Sequence, residues 1–134
     1  MLRYVLLEHD TGAGDGAGAR TGIEHGTHWD LMIERPDGDA LWTWRLDLDP
    51  RASGSVRSER IADHRSAYLA YEGPISDGRG CVRRVAAGKL RLTESSETRM
   101  RFVSDGGMAG AWEITAPVAA GRLTRTPNSD DACR

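Results

Sequence analysis

Cysteine, lysine and long apolar runs are all scarce in this sequence of 134 residues, and each scarcity closes off a class of protein. The two cysteines are Cys81 and Cys133, the second in a polar tail, so neither a disulfide framework nor a cysteine-based zinc motif can be built from them. Lys89 is the one lysine among 18 basic residues. Any phosphate contact must therefore come mainly from guanidinium groups, which can grip two oxygens at once. With 20 acidic residues and a net charge of −2, the chain lacks the strongly basic balance of a non-specific nucleic-acid coat, although a local basic groove is compatible with it. The apolar stretch after Met1 is too short for a signal peptide, and no run approaches the ~20 apolar residues needed to span a bilayer. The expectation is a soluble, cytoplasmic protein with no membrane partner.

Glycine is plentiful, at 16 residues. The run from Thr11 to Gly26 holds Gly12, Gly14, Gly16, Gly18, Gly22 and Gly26. It matches neither a GxGxxG turn followed by a helix nor a Walker-type Gly-Lys-Ser/Thr, so it reads as a mobile surface loop rather than a nucleotide cradle.

Around these glycines the apolar pattern has period two. Arg3–Glu8 is a short β-rich segment ending at His9. In His28–Glu34, Trp29, Leu31 and Ile33 point one way, and His28, Asp30, Met32 and Glu34 the other. Pro36-Asp37-Gly38-Asp39 is a turn signal. Ala40–Leu46 then alternates Trp42 and Trp44 against Thr43 and Arg45, which makes a hairpin.

Further short strands are expected at 59–63, 81–85, 89–93, 99–104 and 111–115, and a turn or two of helix at 64–71. Many short strands with glycine turns and no long 3.6-residue period point to a mainly β chain. The expected form is a small antiparallel β-barrel with one or two short helices. The barrel is expected to fill residues 1–116, followed by a polar tail at 117–134 that is expected to be disordered.

Two residues apart on a strand, His28 and Asp30 share a face with Cα atoms about 6.5–7 Å apart, so their side chains can converge on one ion. If the first two strands pair, the glycine loop returns His28 close to His9. Two imidazoles and a carboxylate suit a divalent transition metal with open positions. His64 and Tyr68, four apart in the expected helix, would share a face on which a His–Tyr pair could hold and protonate a phosphate. Taken singly, each of these groups is most simply a solvated polar face or packed core.

Four segments occur in order: Tyr4-Val-Leu-Leu-Glu-His9, His28-Trp-Asp30-Leu-Met-Ile-Glu34, Asp63-His64-Arg-Ser-Ala-Tyr68 and Tyr71-Glu72-Gly73-Pro-Ile75. Together they resemble the 3′-phosphoesterase module of bacterial DNA ligase D, over roughly Arg3 to Val85 and more weakly to Thr115. The resemblance implies a stand-alone barrel that trims DNA 3′ ends in break repair by end joining, removing a terminal ribonucleotide and then a 3′-phosphate. It implies Mn²⁺ held by His9, His28 and Asp30, with Zn²⁺ or another divalent metal also suited to these ligands. It assigns His64 to the scissile phosphate or to general-acid work and Tyr68 to positioning, and it leaves Glu72 a structural role. The partners it implies are DNA 3′ ends and, beyond them, a ligase or end-binding repair protein.

Three departures stand out. Met32 replaces an arginine that serves the phosphate in the family, and Arg45 on the neighbouring strand, with Arg79, is the candidate substitute. Asp47, Leu48 and Asp49 stand where a basic residue is usual. The long glycine insertion brings His25, a possible competitor for the metal. The alternative expectation is a catalytically impaired module of the same fold that binds DNA ends or a repair partner. A barrel acting on another small phosphorylated or carboxylated molecule is a third.

Overall fold

The computed structural model describes residues 1–11, 26–75, 80–115 and 120–126. The strands are β1 (Leu2–Asp10), β2 (Thr27–Glu34), β3 (Leu41–Leu46), β4 (Ser55–His64), β5 (Gly73–Pro74), β6 (Cys81–Ser95), β7 (Arg99–Ser104), β8 (Gly110–Thr115) and β9 (Ala120–Thr126). All pairings are antiparallel, in the order β1-β2-β3-β4-β9-β8-β7-β6, and β6 pairs back onto β1. Eight strands thus close a barrel, and the two-residue β5 hangs on the outside of β6. The expected fold class is the observed one. Among the described residues no helix is long and apolar enough to cross a membrane.

The period-two pattern explains the inside. Tyr4, Leu6, Leu31, Ile33, Trp44 and Leu46 point inward and join Phe102, Trp112 and Leu123 in the main core, with Trp29 and Trp42 packed at its edge. β1 does not alternate: Tyr4, Val5, Leu6 and Leu7 are all buried. Its outer face is covered as well. Val5 and Leu7 form a second cluster with Met32, Leu41 and Val82 on the outer wall, under Tyr68, Leu69 and Ile75. Burying one such side chain contributes about 1.5–3 kcal/mol, enough to hold segment 66–75 against the wall. This lid segment creates the rim on which the candidate site sits.

Several elements differ from expectation. The turn of helix expected within 64–71 is a single 3₁₀ turn, Ser66–Leu69, and it begins later than expected because His64 still belongs to β4. The α-helical turn lies instead at Pro50–Ser53 (α1), where Asp49 accepts the Arg51 N–H at 2.9 Å as an N-cap. The two expected strands at 81–85 and 89–93 are one strand, β6, running through Gly88. A Cβ on Gly88 would lie 2.4 Å from the Asp105 carboxylate and 3.1 Å from the Tyr4 ring, so this glycine marks a close approach rather than a break.

The barrel also does not end at residue 116. Ala120–Thr126 is a full strand that buries Leu123 and joins β4 to β8, so the tail expected over 117–134 contains the closing strand. Alternation in Gly121-Arg-Leu-Thr-Arg is diluted by short and charged residues, which is why it reads as tail.

Candidate metal centre and cleft

β1 and β2 pair with His9 opposite His28, and Thr11 closes the ladder by donating from N and Oγ1 to the Gly26 carbonyl at 3.1 and 2.8 Å. The intervening glycine run and His25 lie largely outside the described residues. On β2, Asp30 follows His28 on the outer face, opposite Leu7 on one side and Arg45 of β3 on the other. The chain register alone therefore delivers His9, His28 and Asp30 to one spot.

The contacts there are short. His9 Nδ1 lies 3.1 Å from His28 Nε2, His28 Nε2 lies 3.2 Å from Asp30 Oδ1, and His9 Nδ1 lies 3.5 Å from Asp30 Oδ2. Asp30 is 4% exposed, and its Oδ1 has no hydrogen-bond partner of good geometry among the described residues. Burial pushes the Asp30 carboxyl upward, but hydrogen bonds and charge from His28 and His9 outweigh that and hold it at about 2, below the ordinary 3.8. A carboxylate that stays ionised while buried calls for a cation. Two ligands bound to one ion at ~2.1 Å stand about 3.0–3.4 Å apart at tetrahedral or octahedral angles. Two of the observed separations fall in that range and the third, to the other Asp30 oxygen, lies just beyond it, so the three residues could hold a metal ion.

Beside the triad lies a cleft of about 290 Å³ lined by His9, Asp30, Met32, Arg45, Ile61, Ala62, His64, Tyr68, Ile75 and Val82. It unites five of the six candidate site residues, His9, Asp30, Arg45, His64 and Tyr68; His28 faces the neighbouring cleft of about 560 Å³, which shares Arg45 and also holds Arg57, Asp47 and Glu59.

His64 reaches the cleft because of a β-bulge. Thr43 pairs with Ile61 but Leu41 with His64, so β4 has one residue more than β3 there. Plain alternation from Glu59 and Ile61 would turn Asp63 outward; the extra residue turns His64 outward instead. Asp63 binds Arg35 at 2.8 Å and Arg60 at 2.7 Å, which pins the strand end. His64 Nδ1 contacts the Ala62 carbonyl at 2.9 Å, an interaction in which the ring nitrogen is the donor, so the proton-exchanging nitrogen is Nε2. Tyr68 packs edge-on against the His64 ring at 5.4 Å. The pair expected from a helical face is thus assembled by a strand end and a 3₁₀ turn.

Arg45 is exposed and makes no hydrogen bond or ion pair among the described residues, as a side chain reserved for an anionic ligand would be. Met32 is 1% exposed and belongs to the outer-wall cluster, so the position of the family arginine is filled by core. Glu72 accepts the Arg84 N–H at 2.8 Å, next to the irregularity where β1 and β6 shift register, which is a structural task. Asp47 accepts the Arg57 N–H at 3.0 Å and Asp49 caps α1, which accounts for acidic residues after the tryptophan strand.

Of the arginines that could have marked a groove, Arg101 is tied to Glu113, Arg84 and Arg91 line neither cleft, and Arg79 lies outside the described residues. Sequence patterns gave no signal for Arg57, Ile61 or Val82, whose place depends on the barrel's closure and bulges. Neither the family models nor the curated proteins compared with this chain match it. What the site can do follows from its own chemistry.

Proposed function

We propose that this chain is a metal-dependent phosphoesterase that processes DNA 3′ ends, removing a terminal ribonucleotide or a 3′-phosphate in break repair. The observation that carries the proposal is a His9–His28–Asp30 triad of which His9 and Asp30 line one cleft with His64, Tyr68 and Arg45, while His28 faces the adjoining cleft that shares Arg45. The four ordered motifs that resemble the ligase D module support the same reaction class. His9, His28 and Asp30 would hold a divalent ion, which would supply Lewis-acid polarisation of a phosphoryl oxygen. Manganese is the metal the resemblance implies, and zinc competes for such ligands on affinity.

The chain's own groups divide the remaining work. Arg45 gives charge-assisted hydrogen bonds to the phosphate, which its planar fork can bind through two oxygens. The attacking oxygen comes from a water molecule that gives up its proton to solvent. It forms the new P–O bond as the old one breaks, and protonated His64 delivers its Nε2 proton to the departing oxygen. Tyr68 holds the His64 ring edge and offers its hydroxyl to the phosphate.

A labelled primer–template ending in one ribonucleotide or a 3′-phosphate tests this, with and without Mn²⁺. Wild type should shorten or dephosphorylate the primer only with metal, and His28→Ala and His64→Ala should not. Equal turnover by all three proteins sinks the scheme.

The buried Met32 favours a second reading, a module that binds DNA ends or a repair partner without turnover. Tight binding of 3′-phosphate DNA by folded, metal-loaded protein, with no product, selects it.

A further inference from the structure

Two features beside the cleft have no part in the chemistry above. The first is Tyr71. The chain has four Trp, three Tyr and one Phe, and Tyr71, at 37% exposure, is the aromatic side chain left open to solvent. Its ring is held in place. The hydroxyl donates to the Pro74 carbonyl, and the ring meets Tyr68 edge-on at 5.6 Å. An aromatic ring fixed by two contacts and still exposed is preorganised to stack on a flat partner.

The second feature is charge. Arg3, Arg35, Arg51, Arg60, Arg83, Arg99 and Arg101 are each bound to a carboxylate. Arg65 is exposed and, like Arg45, Arg57, Arg84, Arg91, Arg122 and Arg125, has no carboxylate partner among the described residues. It lines a shallow cleft of about 230 Å³ with Ala67, Tyr68, Tyr71, Pro74 and Ile75. Tyr68 and Ile75 also line the metal-side cleft, so the two are continuous. Among the described residues no acidic side chain lines this extension, whereas the cleft beyond His28 sets Asp47 and Glu59 against Arg45 and Arg57. The described lining is thus cationic on this side and roughly balanced on that one, which favours a polyanion here.

We infer that Arg65 and Tyr71 form a second subsite that takes one nucleotide of a single-stranded tract beside the reacting phosphate. Tyr71 stacks on the base, and Arg65 pairs with the adjoining phosphate. This subsite rests on the phosphoesterase proposal, because it extends the same groove. Stacking of this kind is sequence-tolerant, since every base presents a π-face. The ligand class is therefore a short single-stranded 3′ end rather than a lone phosphorylated metabolite.

The test is fluorescence anisotropy with the full chain and a 5′-labelled six-nucleotide single strand bearing a 3′-phosphate. It is run in Mn²⁺ and in EDTA across a salt series. Tyr71→Ala should weaken binding about 5- to 100-fold, the range for losing one base–aromatic stack. Tyr71→Phe, which keeps the ring and loses the Pro74 hydrogen bond, should stay within about 2-fold of wild type if stacking is what counts. Arg65→Ala should lower the slope of log K against log salt by about 0.7, one phosphate contact on a single strand. Failure of wild type to bind the strand, or equal binding by folded Tyr71→Ala and Arg65→Ala, overturns the subsite. Binding that depends on Tyr71 and Arg65 without any cleavage keeps the subsite and removes the phosphoesterase. Metal-dependent cleavage with no dependence of binding on either residue does the reverse.

Discussion

Asp30 is a buried carboxyl that burial pushes upward and two imidazoles nevertheless hold at about 2. Asp30→Asn keeps the size and removes the charge. Its expected effect is loss of Mn²⁺ binding with the far-UV CD spectrum unchanged; retained one-to-one binding would remove Asp30 from the ligand set. Met32→Arg places here the arginine that the resembling ligase D modules carry. Overpacking costs about 1–3 kcal/mol, and the added guanidinium should raise turnover on a 3′-phosphate end by roughly tenfold or more, because aligned donors at phosphoryl charge act strongly. A variant that is folded but no faster would show that Arg45 already fills the role.

His28-x-Asp30 was legible from the sequence because strand period two fixes which side chains share a face. His9 was legible once the first two strands were paired. The route by which His64 reaches the cleft was not, since the bulge that turns it outward is a property of the β3–β4 register.

At the scale of elements, the site depends on how strand ends are held. Gly80 has φ +93°, and a Cβ there would lie 1.8 Å from the Asp10 carbonyl and 2.7 Å from Thr11 Cα, both backbone atoms next to His9. Gly80→Ala must therefore push the end of β1 aside. The expected result is a lower Tm together with Mn²⁺ affinity reduced by about tenfold, comparable to the loss of a ligand-orienting group. Unchanged affinity would mean that the end of β1 tolerates the shift. Gly88 was misread from sequence, and the helical turn within 64–71 was legible in place but not in its extent or type. A glycine inside a strand looks like a turn unless the crowding by Tyr4 and Asp105 is known. A short mixed segment such as Ser66–Leu69 takes its form from the outer-wall cluster it covers rather than from its own propensity.

For the whole molecule, barrel closure and charge set the limits of stability. A chain cut after residue 116 loses β9 and leaves β4 and β8 with open edges. It should show no cooperative thermal transition; a sharp transition near that of the full chain would mean closure is dispensable.

Acid stability follows from the depressed carboxylates. Asp30, Glu34, Asp49 and Asp63 all sit below their ordinary values when folded, Asp30 and Asp63 against the upward push of burial and through bonds to His28 and His9 or to Arg60 and Arg35. Their folded pKa values lie below the unfolded ones, so their contribution is fully present above the unfolded values of 3.8 for Asp and 4.5 for Glu. It is lost as pH falls toward the folded values, which for Asp30 means about 2. Asp63→Asn should lower Tm at pH 7 and flatten the fall of Tm below pH 4, read by thermal melts across pH. An unaltered acid profile would show that the Arg35–Asp63–Arg60 network contributes little. The barrel itself was legible from alternation and glycine spacing. Its closing strand was not, because β9 buries mainly Leu123 and is otherwise polar.

The most direct measurement is a Mn²⁺ titration followed by EPR, with thermal melts of the same samples. Wild type should bind one Mn²⁺ per chain, and metal at 100 times its Kd should stabilise the fold by about 2.7 kcal/mol, which raises Tm by several degrees. His28→Ala and Asp30→Asn should show neither effect while remaining folded. Wild type that is folded yet binds no Mn²⁺ or Zn²⁺, or variants that bind as well as wild type, would contradict a metal centre at His9, His28 and Asp30.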